Sequence, residues 1–162
     1  MANTAALKIP PAAMAHAARE FRGKGYTFKG CGPFAFDGFG LIRACVAKVT
    51  GTPVSDVADV ARNTPDWTEA VTYSVSARWL NDMGLERADD LSVGDVLIFQ
   101  VHPDKPGVHV AVLTETHGAE PKMVHAYWGR SVIESYTDNW LPRRLIGAYR
   151  LRAGRPAMRR AA

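Results

Sequence analysis

In the first half of the chain, apolar residues recur at helical spacing. In the last third they alternate with polar ones or run together, as strands do. The stretch FAFDGFGLIRACVAKVTG, residues 34–51, sets Leu41, Ile42, Cys45, Val46 and Val49 on one face and ends at Gly51. This predicts a helix from about Asp37 to Lys48, capped by Asp37, with Gly38 and Gly40 keeping its entry uncrowded. PPAAMAHAAREF, 10–21, predicts an earlier helix with Pro11 in its first turn, and SVSARWLNDMG, 74–84, a short one closed by Gly84. Between the first two lies a glycine-rich loop, RGKGYTFKGCGP, holding Tyr26 and Cys31.

Five strands follow: DVLIFQV (95–101), GVHVAVLTE (107–115), PKMVHAYW (121–128), SVIESYT (131–137) and LIGAYRLR (145–152). The second and third are joined across THGAE. Helices first and antiparallel strands after predict an α+β fold, with the 37–50 helix packed on a sheet built from about 94–152. One unit over 1–152 and a basic, flexible tail over 153–162 complete the expected organisation.

Composition narrows the class. At 162 residues one substantial core is expected, and 47% hydrophobic with 22% charged content is that of a soluble globular protein. Cys31 and Cys45 form neither a disulfide framework nor a zinc pattern, and no His, Asp and Glu set has metal spacing, so no metal or cofactor is expected. The start lacks a signal-peptide pattern, and no apolar run reaches membrane-spanning length. Net charge is +4, with Arg150, Arg152, Arg155, Arg159 and Arg160 gathered at the end without an acid. That run either grips nucleic acid or an acidic neighbour, or is a solvated terminus, and the second reading is preferred. The near-neutral body argues against a nucleic-acid module.

A helix start aimed at a pocket is where a nucleophile is often kept, because N–H groups and dipole stabilise an anion there. Here the residue after the capping Asp37 is Gly38, which has no side chain. The segment GYTFKGCGPFAFDGFGLI resembles the Tyr- and Gly-rich loop and D-C-S-G-L/V helix start of the NlpC/P60 cysteine peptidases. LSVGDVLIFQ is similar to that family's L-x-P-G-D-L-V-x-F strand entry, HVAVL to its catalytic-His strand, and VHAYW to the strand bearing its third polar residue. The ending NWLPRRLIGAYRL is similar to small NlpC/P60-like proteins of phage tails and gene transfer agents.

The resemblance implies a circularly permuted papain-like fold with a site at Gly38, His109 and His125, and substrate-binding roles for Tyr26 and Asp37. Gly38 falls on the nucleophilic Cys and Phe39 on the Ser that follows it. A cysteine peptidase needs a thiolate beside an oriented His, and Gly38 can neither attack a carbonyl nor hold a proton. Cys31 is either a displaced nucleophile or an ordinary loop residue; Cys45, on the apolar helix face, is core. His109 and His125 are a catalytic remnant or structural histidines that bond each other or bind an ion. His16, His102 and His117 read as surface or turn residues. Phe39 either fills the cleft or joins the core, and Tyr127, Trp128, Tyr136 and Trp140 form either an interface or a core for the late strands.

Two functions follow. One is an inactive NlpC/P60 domain built into a phage tail tip or hub, made in the host bacterial cytoplasm, with other tail proteins as partners. The other is a peptidoglycan endopeptidase or amidase that uses Cys31 with His109. In either case the resemblance implies a peptidoglycan stem peptide as the ligand.

Overall fold

The computed structural model describes residues 9–152 except 11, 28–29, 55–71, 118–119 and 139. Pro11, the middle of the 116–120 turn and the tail 153–162, with Arg155, Arg159 and Arg160, lie outside the described residues.

Helix α1 (Ala13–Glu20) leads through the short strands β1 (Gly25–Tyr26) and β2 (Ala35–Phe36) into α2 (Gly38–Thr50). Helix α3 (Tyr73–Asp82) is followed by β3 (Leu85–Arg87), β4 (Val96–Gln100), β5 (Val108–Glu115), β6 (Lys122–Ala126) and β7 (Val132–Tyr136). A five-residue helix α4 (Trp140–Arg144) then enters β8 (Leu145–Leu151). The main sheet runs β3-β8-β4-β5-β6-β7, and every neighbouring pair in it is antiparallel. β1 and β2 form a separate small parallel pair.

Helix α2 starts where Asp37 adopts an extended backbone and its carboxylate accepts the Gly40 N–H at 2.6 Å. It stops at Gly51, whose left-handed φ of 67° suits glycine. Phe39, Leu41, Ile42, Cys45 and Val46 are buried against Val110, Val112, Val124 and Ala126 of the sheet, with Met14 and Ala18 of α1 and Trp79 and Leu80 of α3 in the same cluster. Truncating a fully buried Leu or Ile in such a cluster to Ala costs about 2–5 kcal/mol.

The opposite face of the sheet is also apolar. Leu97, Phe99, Ala111, Leu113, Met123 and Ala148 pack there with Leu91, Trp140 and Leu145. Burial on both faces explains why β4 reads as an unbroken apolar run rather than an alternation.

Charged contacts clamp the layers. Glu134 on β7 accepts from Arg19 of α1 (2.9 Å), Arg22 (2.7 Å) and Thr114 of β5 (2.8 Å). Lys48 pairs with Glu20. Buried Asp95 receives Arg150 at 2.8 and 3.0 Å and accepts the Ser92 N–H at 2.8 Å. This corrects the reading of the arginine run: Arg150 lies on β8 and is committed to Asp95 and Asp90, and Arg152 pairs with Glu86 at 2.7 Å.

Candidate functional site

The N-terminus of α2 abuts the beginning of β5, and a cleft of about 240 Å³ opens there. Asp37, Gly38 and Phe39 line it from α2, Tyr26 from β1, and Val108, His109 and Val110 from β5. Val101, His102, Lys105 and Gly107 of the β4–β5 loop border it too, with Ala126 and Trp128 at the end of β6. Val108 and Val110 belong to the face packed on α2, whereas His109 falls in strand alternation with Ala111 and Leu113 of the other face. Residues of both faces therefore meet the cleft at this strand end.

Gly38 opens α2, and its φ is not one that requires glycine. A Cβ there would sit 3.1 Å from Val110 Cγ2 and 3.9 Å from the Val110 carbonyl, so a side chain fits if Val110 gives by a few tenths of an ångström. Gly40 differs. A Cβ there would stand 1.8 Å from the Gly30 carbonyl oxygen, because the 30–31 backbone lies directly on the helix. The fold therefore requires glycine at 40 and not at 38.

The strand side holds a hydrogen-bonded chain. His109 Nε2 lies 2.8 Å from His125 Nδ1, and His125 Nε2 lies 3.0 Å from Ser135 Oγ. His109 and His125 share a sheet face, and His125 stands behind His109, outside the cleft lining. The His109 ring also meets the Trp140 ring edge-on at 5.5 Å. Burial and the neighbouring His125 push His109 down to about 3, and burial pushes His125 down to about 4. Both rings are neutral at pH 7, and the donor in each contact of the chain is set by the tautomer. His109 lines the cleft while its Nε2 is engaged by His125.

Tyr26 and Asp37 stand together on the α2 wall. Burial and the Asp37 charge both raise the Tyr26 phenol above its ordinary value, so it remains a hydroxyl donor. Phe39 does both things asked of it: it borders the cleft and packs edge-on against Trp79 at 5.0 Å, with 5% exposure.

Neither cysteine lines the cleft. Cys45 is fully buried in the core, and burial pushes its thiol up to about 12, against the lowering pull of Lys48. Cys31 is exposed, bridges Phe36 through its backbone and is not among the cleft-lining residues. Its backbone seat against Gly40 anchors the loop instead.

The late aromatic residues separate. Trp140 packs on Phe99 and His109, while Trp128 is 81% exposed at the cleft mouth and Tyr127 and Tyr136 are exposed beyond it. His16 and His117 are on the surface; His102, read as a turn residue, also borders the cleft. Ser135 was not singled out in the sequence. Its signal was its place one step diagonal to His125, since β7 pairs Ile133 with His125. Among the described residues no group of three or more His, Cys, Asp and Glu could hold a metal, and no helix is long and apolar enough to cross a membrane.

Solved structures similar to this one include the NlpC/p60 domain of the peptidoglycan hydrolase SagA, at 22% identity over 86% of this chain and 97% of that chain, with a TM-score of 0.52. An NlpC/P60 family protein from Bacillus cereus ATCC 10987 matches at 20% identity and a TM-score of 0.53 over 86% of this chain, which spans 40% of that one. Ly7917 matches at 12% identity and a TM-score of 0.54 over 88% of this chain and 62% of that one. No family model and no curated protein matches the chain. The fold is that of NlpC/P60 domains, an α+β papain-like arrangement with helices on an antiparallel sheet.

Proposed function

We propose that this chain is a catalytically silent domain of the NlpC/P60 type that serves as a structural component at the tail tip or hub of a phage or phage-like particle. Neighbouring tail proteins hold it, and its cleft retains the capacity to bind a peptide without cutting it. It is made in the host bacterial cytoplasm and resides in the virion tail. The observation that carries the reading is Gly38. It occupies the position at the cleft where the resemblance implies a cysteine, and its backbone does not demand glycine. Nucleophile, base and orienting group act as a unit, so an oriented His109 without a thiolate has nothing to activate. Cys31, the alternative nucleophile, has no cleft contact to favour it.

The tail assignment is supported by the ending NWLPRRLIGAYRL and by exposed aromatic residues suited to a partner. Trp128 and Tyr136 are 81% and 53% exposed. A hub contact of useful stability buries about 1,000 Å² or more in total. The test is assembly. Trp128→Ala with Tyr136→Ala, and separately deletion of 153–162, should lower incorporation into purified particles, while Trp140→Ala would disturb the fold around Phe99 and His109. If the protein is absent from purified particles, the tail assignment is wrong. If both variants assemble and infect normally, these surfaces are not the attachment.

A further inference from the structure

We propose that the sheet face away from α2 carries a docking surface for an acidic, extended segment of a partner protein, read by arginines at the two ends of a row of packed rings. The surface lies outside the cleft, and the inference depends on neither the silent site nor the particle assignment.

The row crosses from β6 to β5 and on to α4. Tyr127, His125, His109 and Trp140 follow one another edge-on, with ring centroids 5.5, 5.0 and 5.5 Å apart. The guanidinium of Arg130 lies 5.6 Å from the Tyr127 centroid at one end, and that of Arg144 lies 5.1 Å from the Trp140 centroid at the other. Strand alternation puts Val124 and Ala126 against α2 and so turns His125 to the opposite face, where the Tyr127 ring meets it. Trp128, next in the chain, lines the cleft instead.

A guanidinium stacked on a ring uses its face and keeps its edge, with the N–H donors, for a carboxylate. Arg144 spends one of those donors on the Val101 carbonyl at 2.8 Å. Arg143, beside it in the last turn of α4, is exposed, as are Arg130 and Arg144. Among the described residues no carboxylate pairs with any of the three. Arg130 and Arg144 are thus held in place by rings rather than neutralised by acids. Cations ordered in advance lose little freedom when a ligand arrives.

The charge calls for an anion, and the rings decide its class. Nucleic-acid strands bind through bases stacked on open ring faces. Here His125 is buried, His109 and Trp140 are half-buried and packed edge-on, and Tyr127 has Arg130 over its ring. No open platform is left for bases, whereas carboxylates need only the guanidinium edges.

The experiment titrates octaglutamate and octaglutamine, each N-acetylated and C-amidated, into the full chain and follows 1H–15N shifts. Eight extended residues span about 27 Å, enough to bring carboxylates to both ends of the row. Octaglutamate should shift Tyr127, Arg130, His125 and Arg143, bind about tenfold or more tighter than octaglutamine, and weaken as salt is added. Arg130→Glu and Arg143→Glu should each weaken it about fivefold or more. Both side chains are exposed and neither carries a side-chain hydrogen bond, so folding is not at stake. Arg78→Glu makes the same charge change at an exposed position of α3 and should alter binding less than about twofold. An equal loss with Arg78→Glu, or shifts centred on Gly38, Phe39 and Lys105 of the cleft, overturns the surface. A ten-nucleotide oligothymidylate that binds the row more tightly than octaglutamate at the same salt overturns the choice of partner. No binding of octaglutamate at low salt overturns the proposal outright.

Discussion

The two walls of the cleft retain different amounts of chemistry. On the β5 side, His109, His125 and Ser135 form an unbroken chain of hydrogen bonds, and Trp140 holds the first ring edge-on. On the α2 side, the cap, the buried Asp37 and the adjacent Tyr26 persist, yet the residue facing Val110 is Gly38. A histidine pair bonded end to end and packed on an aromatic ring contributes to the core whether or not anything reacts in front of it. A nucleophile at a helix start contributes nothing to packing. The β5 wall is thus tied into the packing of the sheet, while position 38 leaves the helix entry free of any side chain.

The helix entry contains the same contrast at closer range. Gly40→Ala drives a Cβ into the Gly30 carbonyl and should cost about 3 kcal/mol or more, whereas Gly38→Ala should stay within about 1 kcal/mol of the wild type. Urea denaturation of the two variants checks this. Equal losses would mean that the entry is not built as described.

On the β5 wall the next largest effect is with pH. Both imidazoles ionise well below their ordinary 6.5, at about 3 and about 4. The unfolded chain therefore binds more protons than the folded one in that interval. Stability is full above pH 6.5 and falls as pH drops toward 4, by about 1.4 kcal/mol per unit for each ring. Glu134 is pushed up by burial but held below its ordinary 4.5 overall by its hydrogen bonds to Arg19 and Thr114 and by the charges of Arg19 and Arg22. Its contribution is present above 4.5 and is lost below that. Loss between pH 6.5 and 4.5 thus belongs to the histidines, and NMR titration should find neither ring protonated above pH 5. A midpoint near 6.5 for His109 would contradict a desolvated pair.

The smallest effect is at the end of the chain. Ser135→Ala removes the partner of His125 Nε2 and should cost about 1 kcal/mol, read by thermal or urea unfolding. It should also change the ring nitrogen shifts of His109, two hydrogen bonds away, while leaving those of His102 unmoved. Unchanged His109 shifts would mean that the chain does not act as one.

Most of the architecture was readable because burial leaves a period. The α2 face and the strands around His109 and His125 announce themselves by spacing, and the two-sided burial of β4 by its unbroken run. β3 has three residues and α4 five, too short to show any period. The arginine run showed its charges but not its partners, since Asp95 and Asp90 lie 55 and 60 residues from Arg150. Trp128 and Trp140 look alike in sequence, and only the second face of the sheet separates them. The place of Gly38 was legible from its neighbours. Ser135 was not, because it meets His125 through a strand pairing that no local pattern encodes.

The central claim is that one absent side chain silences the cleft. It is tested most directly by digesting purified peptidoglycan with the wild-type chain and with Gly38→Cys side by side, and analysing the released muropeptides. The account predicts no cleavage above background by the wild type, with or without a thiol-blocking reagent. It predicts cleavage at least on the order of 10³-fold above background by Gly38→Cys, abolished by that reagent. Thiol-sensitive cleavage by the wild type would contradict it.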